Sequence, residues 1–252
     1  MARQHGINKT NNPYVMFLDT GDIFISKEIQ YEIADSLKDS KTNIFFWTYY
    51  YNEQLTDFTD NRMHGKLYKR SFLEQYGITF CAAGSYMDED IGFNRTCRII
   101  SRAIDVPIKM LSTPIIKWIK EENSITQKDN HRLFYQNQTR GLALNAQHEI
   151  ETLYRNNFDV GAEINEIAGY LYYWFIHTLV NRPEYAQDAW NGAKIFFDYY
   201  KDKIHLNNLC LHPNKLKECL RWKTSGKIKF PINLHTFNQH ILQFSEIPNF
   251  YI

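Results

Sequence analysis

The chain has 252 residues, 44% of them hydrophobic, and a formal net charge of +1. That length supports one sizeable core with or without a smaller helical unit. The balanced charge excludes a global field that would gather nucleic acid or an anionic membrane.

The opening stretch, MARQHGINKTNNPY, is polar and lacks the apolar core of a signal peptide. YVMFLD (14–19) reads as a short buried strand. SKEIQYEIADSLKDS (26–40) reads as a helix, with Ser26 as its N-cap and Ile29, Ile33 and Leu37 at helical spacing. NIFFWTYYY (43–51) is a second, aromatic strand. KRSFLEQYG (69–77) is a short helix closed by Gly77, and ITF (78–80) a brief strand. DEDIGFNRTCRIISRAI (88–104) is a helix with Asp88, Glu89 and Asp90 at its positive end. PIKMLST and IIKWI then read as two strands.

Beyond about Thr126 the strand signals fade. Helices are expected over 131–156, 161–181, 184–204 and 213–223, with Ile164, Ile167, Leu171, Phe175 and Leu179 forming one stripe of the second. The expected organisation is therefore α/β first, over 1–126, and α-helical after, over 127–252. The most apolar run, AGYLYYWFIHTLV (168–180), is too short to span a bilayer, so no transmembrane segment is expected. Cys81, Cys97, Cys210 and Cys219 form no C-x-x-C pair. They fit reduced, buried thiols, and the expected location is cytoplasmic.

Four stretches carry possible chemistry. FLDTGD (17–22) ends a strand on Asp19 and Asp22. This is either a plain Asp/Gly turn or a carboxylate pair for a divalent cation. Gly21, two residues after Asp19, cannot serve as the general acid of a haloacid-dehalogenase-type phosphatase. NRMHGKLYKRSFLEQYGITF (61–80) is basic through His64, Lys66, Lys69 and Arg70. MDEDIGFN (87–94) places three acids at a helix start, as dipole partners or as a general base. WIKEENSIT (118–126) alone is an ordinary polar turn.

Together, in this order and spacing, the four resemble the later portion of a family 2 glycosyltransferase of GT-A fold. The family shows a segment like ARN-x-G-I…Y-I-x-F-L-D-S-D-D, and Arg3, Gly6, Ile7, Tyr14, Phe17, Leu18 and Asp19 fall in step with it. HGKLYKRSFL, EDIGFN and WIKEENSIT match three further elements of the family. The resemblance covers roughly residues 1–130 and implies a partial GT-A sheet, followed by a helical region with no named relative.

It also implies roles. Asp19 takes the first position of the DXD metal motif, and Asp22 stands in for the acid replaced by Gly21, so Mn²⁺ or Mg²⁺ is the implied cofactor. Asp90 matches the base of an inverting transfer, with Glu89 beside it. Arg3, His64 and Lys66 are implied in donor binding and in lining the donor–acceptor cleft. The donor would be a nucleotide sugar, and the acceptor a glycan, lipid-linked sugar, protein or modified nucleic acid. The basic run at 215–229 is the one sequence feature that speaks for a nucleic-acid acceptor.

The family's first βαβ segment, which binds uracil and ribose, has no match here. A partner chain supplying it, or self-association, is expected. The competing reading is a non-catalytic glycosyltransferase-like module for binding or assembly.

Overall fold

The computed structural model describes residues 2–38, 41–51, 53–56, 62–83, 89–119 and 131–204, with Arg221 and Ser225. The chain forms two compact units, residues 1–82 with 90–128, and residues 83–89 with 129–252. The predicted helix at 213–223, the basic run at 215–229 and most of WIKEENSIT fall outside the described residues, apart from isolated positions.

The first unit is a mixed sheet. Its strands are β1 (Tyr14–Met16), β2 (Ile23–Phe24), β3 (Ile44–Tyr51), β4 (Gln54–Leu55), β5 (Lys66–Lys69) and β6 (Ile108–Trp118). The order is β1-β5-β3-β6-β2, with β4 hanging from the end of β3. Among the described strands only β3 and β6 run parallel; the other pairs are antiparallel. β3 is central and almost wholly buried, which is why IFFWTYYY has no polar–apolar alternation. Phe45, Trp47 and Tyr49 share one core with Leu67, Ile115 and Ile116.

The two predicted strands after α4 are one strand, β6. Pro114 cannot donate to a ladder. The parallel pairing with β3 accordingly skips, from Trp47 opposite Leu111 to Tyr49 opposite Ile116. Thr48, left between them, donates its hydroxyl to the Ser112 carbonyl at 2.7 Å.

Helices α1 (Ala2–Lys9), α2 (Ile29–Ser36), α3 (Arg70–Gln75) and α4 (Glu89–Ala103) complete this part. α1 was not legible as a helix, because ARQHGINK has no apolar stripe; Ile7 alone is buried. α2 starts later than predicted. Its N-cap is Glu28, not Ser26; the Ser26 side chain bonds the Glu28 side chain instead, and this bond holds the Glu28 carboxyl below its usual range. Residues 78–80 form no strand. Their amides bond elsewhere, Ile78 to the Leu73 carbonyl and Phe80 to the Gln4 side chain.

Among its described residues the second unit packs three α-helices, α5 (His131–Arg155), α6 (Gly161–Asn181) and α7 (Ala186–Tyr200). α6 is buried on most sides, including Ile164, Leu171, Tyr172, Phe175 and Ile176, so it is a core helix rather than a one-stripe surface helix. No described helix is long and apolar enough to cross a membrane. α7 approaches α5 closely at Gly192, where a Cβ would lie 2.5 Å from the Arg140 amide nitrogen.

Candidate active site

The chain leaves β1 through Phe17 and Leu18 and turns at once. The Asp22 amide donates to the Asp19 carbonyl at 3.1 Å, closing a four-residue turn over Thr20 and Gly21. Gly21 has φ +91°, a conformation that L side chains rarely adopt and that this turn requires at its third position. The turn and the carboxylate pair are therefore the same device. It folds Asp22 back beside Asp19.

A second turn brings the third group. Gly65, with φ +65°, closes the approach to β5, and its carbonyl accepts the Trp47 amide at 2.8 Å. His64 is thereby held against the acids. Its Nε2 is 3.0 Å from Asp22 Oδ2 and 3.8 Å from Asp19 Oδ2. One ligand atom from each of Asp19, Asp22 and His64 lies within 4.8 Å of the others, a spacing that can hold a metal ion.

The site is graded in exposure. The Asp22 and His64 side chains are buried, whereas that of Asp19 is 42% exposed. Burial pushes His64 down to about 4, against the pull of Asp19 and with help from Arg62, Lys66 and Arg3. The imidazole is thus neutral at pH 7 although two acids face it. Despite the 3.0 Å approach, neither ring nitrogen is aligned in a hydrogen bond. A neutral buried imidazole of this kind is suited to metal ligation. The ring is steadied by stacking, with Tyr49 at 5.3 Å and Trp118 at 4.9 Å between centroids. Tyr51 stacks on Trp118 at 4.2 Å, and the Arg62 guanidinium lies 4.5 Å from the Trp118 ring.

Arg3 joins this cluster to α4. Its Nη2 donates to Asp19 Oδ1 at 2.7 Å and its Nη1 to Asp90 Oδ1 at 2.5 Å. Asp90 is the second residue of α4, and Glu89 the first. Of the residues singled out in the sequence, Arg3, Asp19, Asp22, His64 and Asp90 are linked in this way. Lys66 is placed differently. It is 2% exposed, its ammonium donates to the Arg62 carbonyl, and it lies 4.8 Å from the Phe46 ring. Neither of two surface hollows, of about 420 Å³ beside Arg98 and Arg102 and about 640 Å³ beside Phe24 and Ile29, is lined by a residue of the cluster.

Several motif residues have packing roles that their spacing alone did not reveal. The Asn94 side chain accepts the Tyr68 hydroxyl at 2.5 Å and reaches the Arg62 carbonyl at 3.4 Å, tying α4 to the His64 turn. Phe93 stacks on Phe80 at 4.2 Å. Arg70 donates to the carbonyls of Ile7 and Asn12 and to the Thr10 hydroxyl, and so fixes the end of α1, the helix that presents Arg3.

No protein-family model matches the chain, and no curated protein matches it. Solved structures do. S. aureus TarS 1–349 in complex with UDP-GlcNAc aligns with TM-score 0.54 at 14% identity, over 95% of this chain and 69% of that one. TarS 1–349 without the ligand aligns with TM-score 0.50 at 13% identity, over 96% and 68%. S. aureus TarS aligns with TM-score 0.50 at 13% identity, over 94% of this chain and 42% of that one. The likeness is one of fold, and this chain has a glycosyltransferase-like fold.

Proposed function

We propose that this chain is a glycosyltransferase, or the acceptor-side part of one, that moves a sugar from a nucleotide-sugar donor to an acceptor hydroxyl. One observation carries the reading. On a glycosyltransferase-like fold, Asp19, Asp22 and His64 converge at a strand end, and Arg3 links them to an acid at a helix start. A TarS structure in the same fold was obtained with UDP-GlcNAc.

The donor set fits a divalent cation. Two carboxylate oxygens and a neutral imidazole suit Mn²⁺ or Mg²⁺, with Mn²⁺ favoured by the nitrogen. Asp19, Asp22 and His64 would hold the ion, which when bound offsets charge on the donor diphosphate. Asp90 is the general base. It takes the acceptor hydroxyl proton as that oxygen bonds the sugar C1. The C1–O bond to the diphosphate breaks with its electron pair on the leaving group, and the anomeric centre inverts. Glu89 orients acceptor or base. Lys66 acts from behind, fixing the Arg62 carbonyl. A partner chain or a second copy pairs with the outer edge of β1, which ends the sheet among the described residues.

The test is metal-dependent release of UDP from UDP-GlcNAc. Mn²⁺ should support it, chelation should stop it, and Asp90→Asn should lower it by about 10²-fold with little change in melting temperature. Release that survives Asp90→Asn would remove Asp90 from the mechanism. Failure of the wild-type chain to bind Mn²⁺ with UDP would favour the non-catalytic module.

A further inference from the structure

We propose that Arg3 is an internal counter-cation that competes with a divalent ion for Asp19, and that loading the ion and releasing Asp90 are one coupled event. The inference rests on the metal reading above and goes beyond it. It assigns Arg3 a role in controlling the site rather than in binding donor.

The geometry is specific. One guanidinium fork spans two acids of different function, with one nitrogen on Asp19 and the other on Asp90. A guanidinium in this position gives each acid a charge-assisted bond. Asp90 held this way has its Oδ1 engaged by Arg3 rather than open to an acceptor hydroxyl. Asp19 held this way has one oxygen committed to Arg3, while its other oxygen faces His64.

A cation bound between Asp19, Asp22 and His64 would share Asp19 with Arg3. The two positive groups would then lie on opposite oxygens of one carboxylate and repel each other. The backbone of α1 is not free to relieve this. Arg70 fixes its C-terminal end, and the Gln4 side chain accepts the Phe80 amide at 2.9 Å. The Arg3 side chain can relieve it, since it is 22% exposed. Swinging out, it leaves Asp19 to the ion and withdraws its bond from Asp90 Oδ1.

Calorimetric titration of the full chain with MnCl₂ tests this, with no donor or acceptor present. Arg3→Gln removes the charge and keeps a polar side chain. It should bind Mn²⁺ about 10-fold more tightly than wild type, the direction set by losing a like charge beside the ion. Arg3→Lys keeps the charge and should stay within about 3-fold of wild type. Arg3→Gln should also melt lower than wild type, because the charged bridge is lost. A merely structural Arg3 would lower affinity and stability together, whereas competition moves them in opposite directions. Affinity in Arg3→Gln equal to or weaker than wild type overturns the inference while leaving the metal reading intact. Absence of Mn²⁺ binding in wild type and Arg3→Gln alike overturns both. Loss of binding in Asp19→Asn, with tightening in Arg3→Gln, supports both.

Discussion

Gly65→Ala is the sharpest perturbation of the candidate site that leaves every candidate ligand in place. Two effects add. Gly65 sits at φ +65°, where a Cβ costs about 1–2 kcal/mol. The new Cβ would also lie 2.5 Å from the Trp47 carbonyl oxygen, part of the backbone of the central strand. Real Cβ contacts essentially never fall under 3.0 Å, so the turn must retreat by at least 0.5 Å (3.0 − 2.5). Overpacking against an unyielding backbone costs about 1–3 kcal/mol. The sum is about 2–5 kcal/mol, or a fall of roughly 8–20 °C in the melting transition of the first unit. The retreat carries His64 with it, and ligand geometry tolerates only about 0.2 Å. Mn²⁺ affinity should therefore fall by about 10-fold or more. Differential scanning calorimetry and Mn²⁺ titration read the two effects. A variant that melts within about 2 °C of wild type and binds Mn²⁺ normally would refute the claim that this glycine sets the His64 position.

Gly192→Ala should destabilise the helical unit by about 1–3 kcal/mol, because the added methyl meets the Arg140 backbone and the Thr139 hydroxyl at 2.5 and 2.6 Å. Gly6→Ala, with nothing within 4 Å of its Cβ in the middle of α1, should instead stabilise by about 0.5–1 kcal/mol; chemical denaturation compares the two. His64 predicts acid sensitivity. Its folded value is about 4 against an ordinary 6.5, so the unfolded chain takes the proton first as pH falls. The stabilisation is present above pH 6.5 and is lost between 6.5 and 4, on the order of 3 kcal/mol at most. Urea midpoints across that range should slope in wild type and flatten in His64→Gln. The edge position of β1 predicts a solution mass above the 30.0 kDa of one chain, or co-purification with a partner; light scattering at 30.0 kDa alone would contradict it.

The fold was readable where a period or a breaker was strong. β3 announced itself as eight unbroken aromatic and β-branched residues, and α6 as a long apolar run. α1 did not, because its stability comes from Arg70 bonding its C-terminal end rather than from an apolar stripe. β6 was split in two because Pro114 looks like a terminator, and only the pairing with β3 shows that the strand absorbs it as a bulge. At the site, Asp19, Asp22, His64, Arg3 and Asp90 were all visible as residues. What the sequence did not show was their linkage. Asp22 reaches Asp19 through the positive φ of Gly21, and Arg3 reaches Asp19 and Asp90 across 16 and 87 positions of chain. Asn94 and Phe93 stand in a motif, but the Tyr68 bond of Asn94 and the stacking of Phe93 on Phe80 depend on tertiary placement.

The most direct test of the central claim is anomalous diffraction at the manganese edge from crystals grown with MnCl₂ and UDP. One strong peak is expected among the Asp19 and Asp22 carboxylates and the His64 imidazole, at coordination distances of about 2.0–2.3 Å. Arg3 is expected to have left Asp19. A map with no peak at this cluster, or with manganese bound only elsewhere on the surface, would contradict that claim.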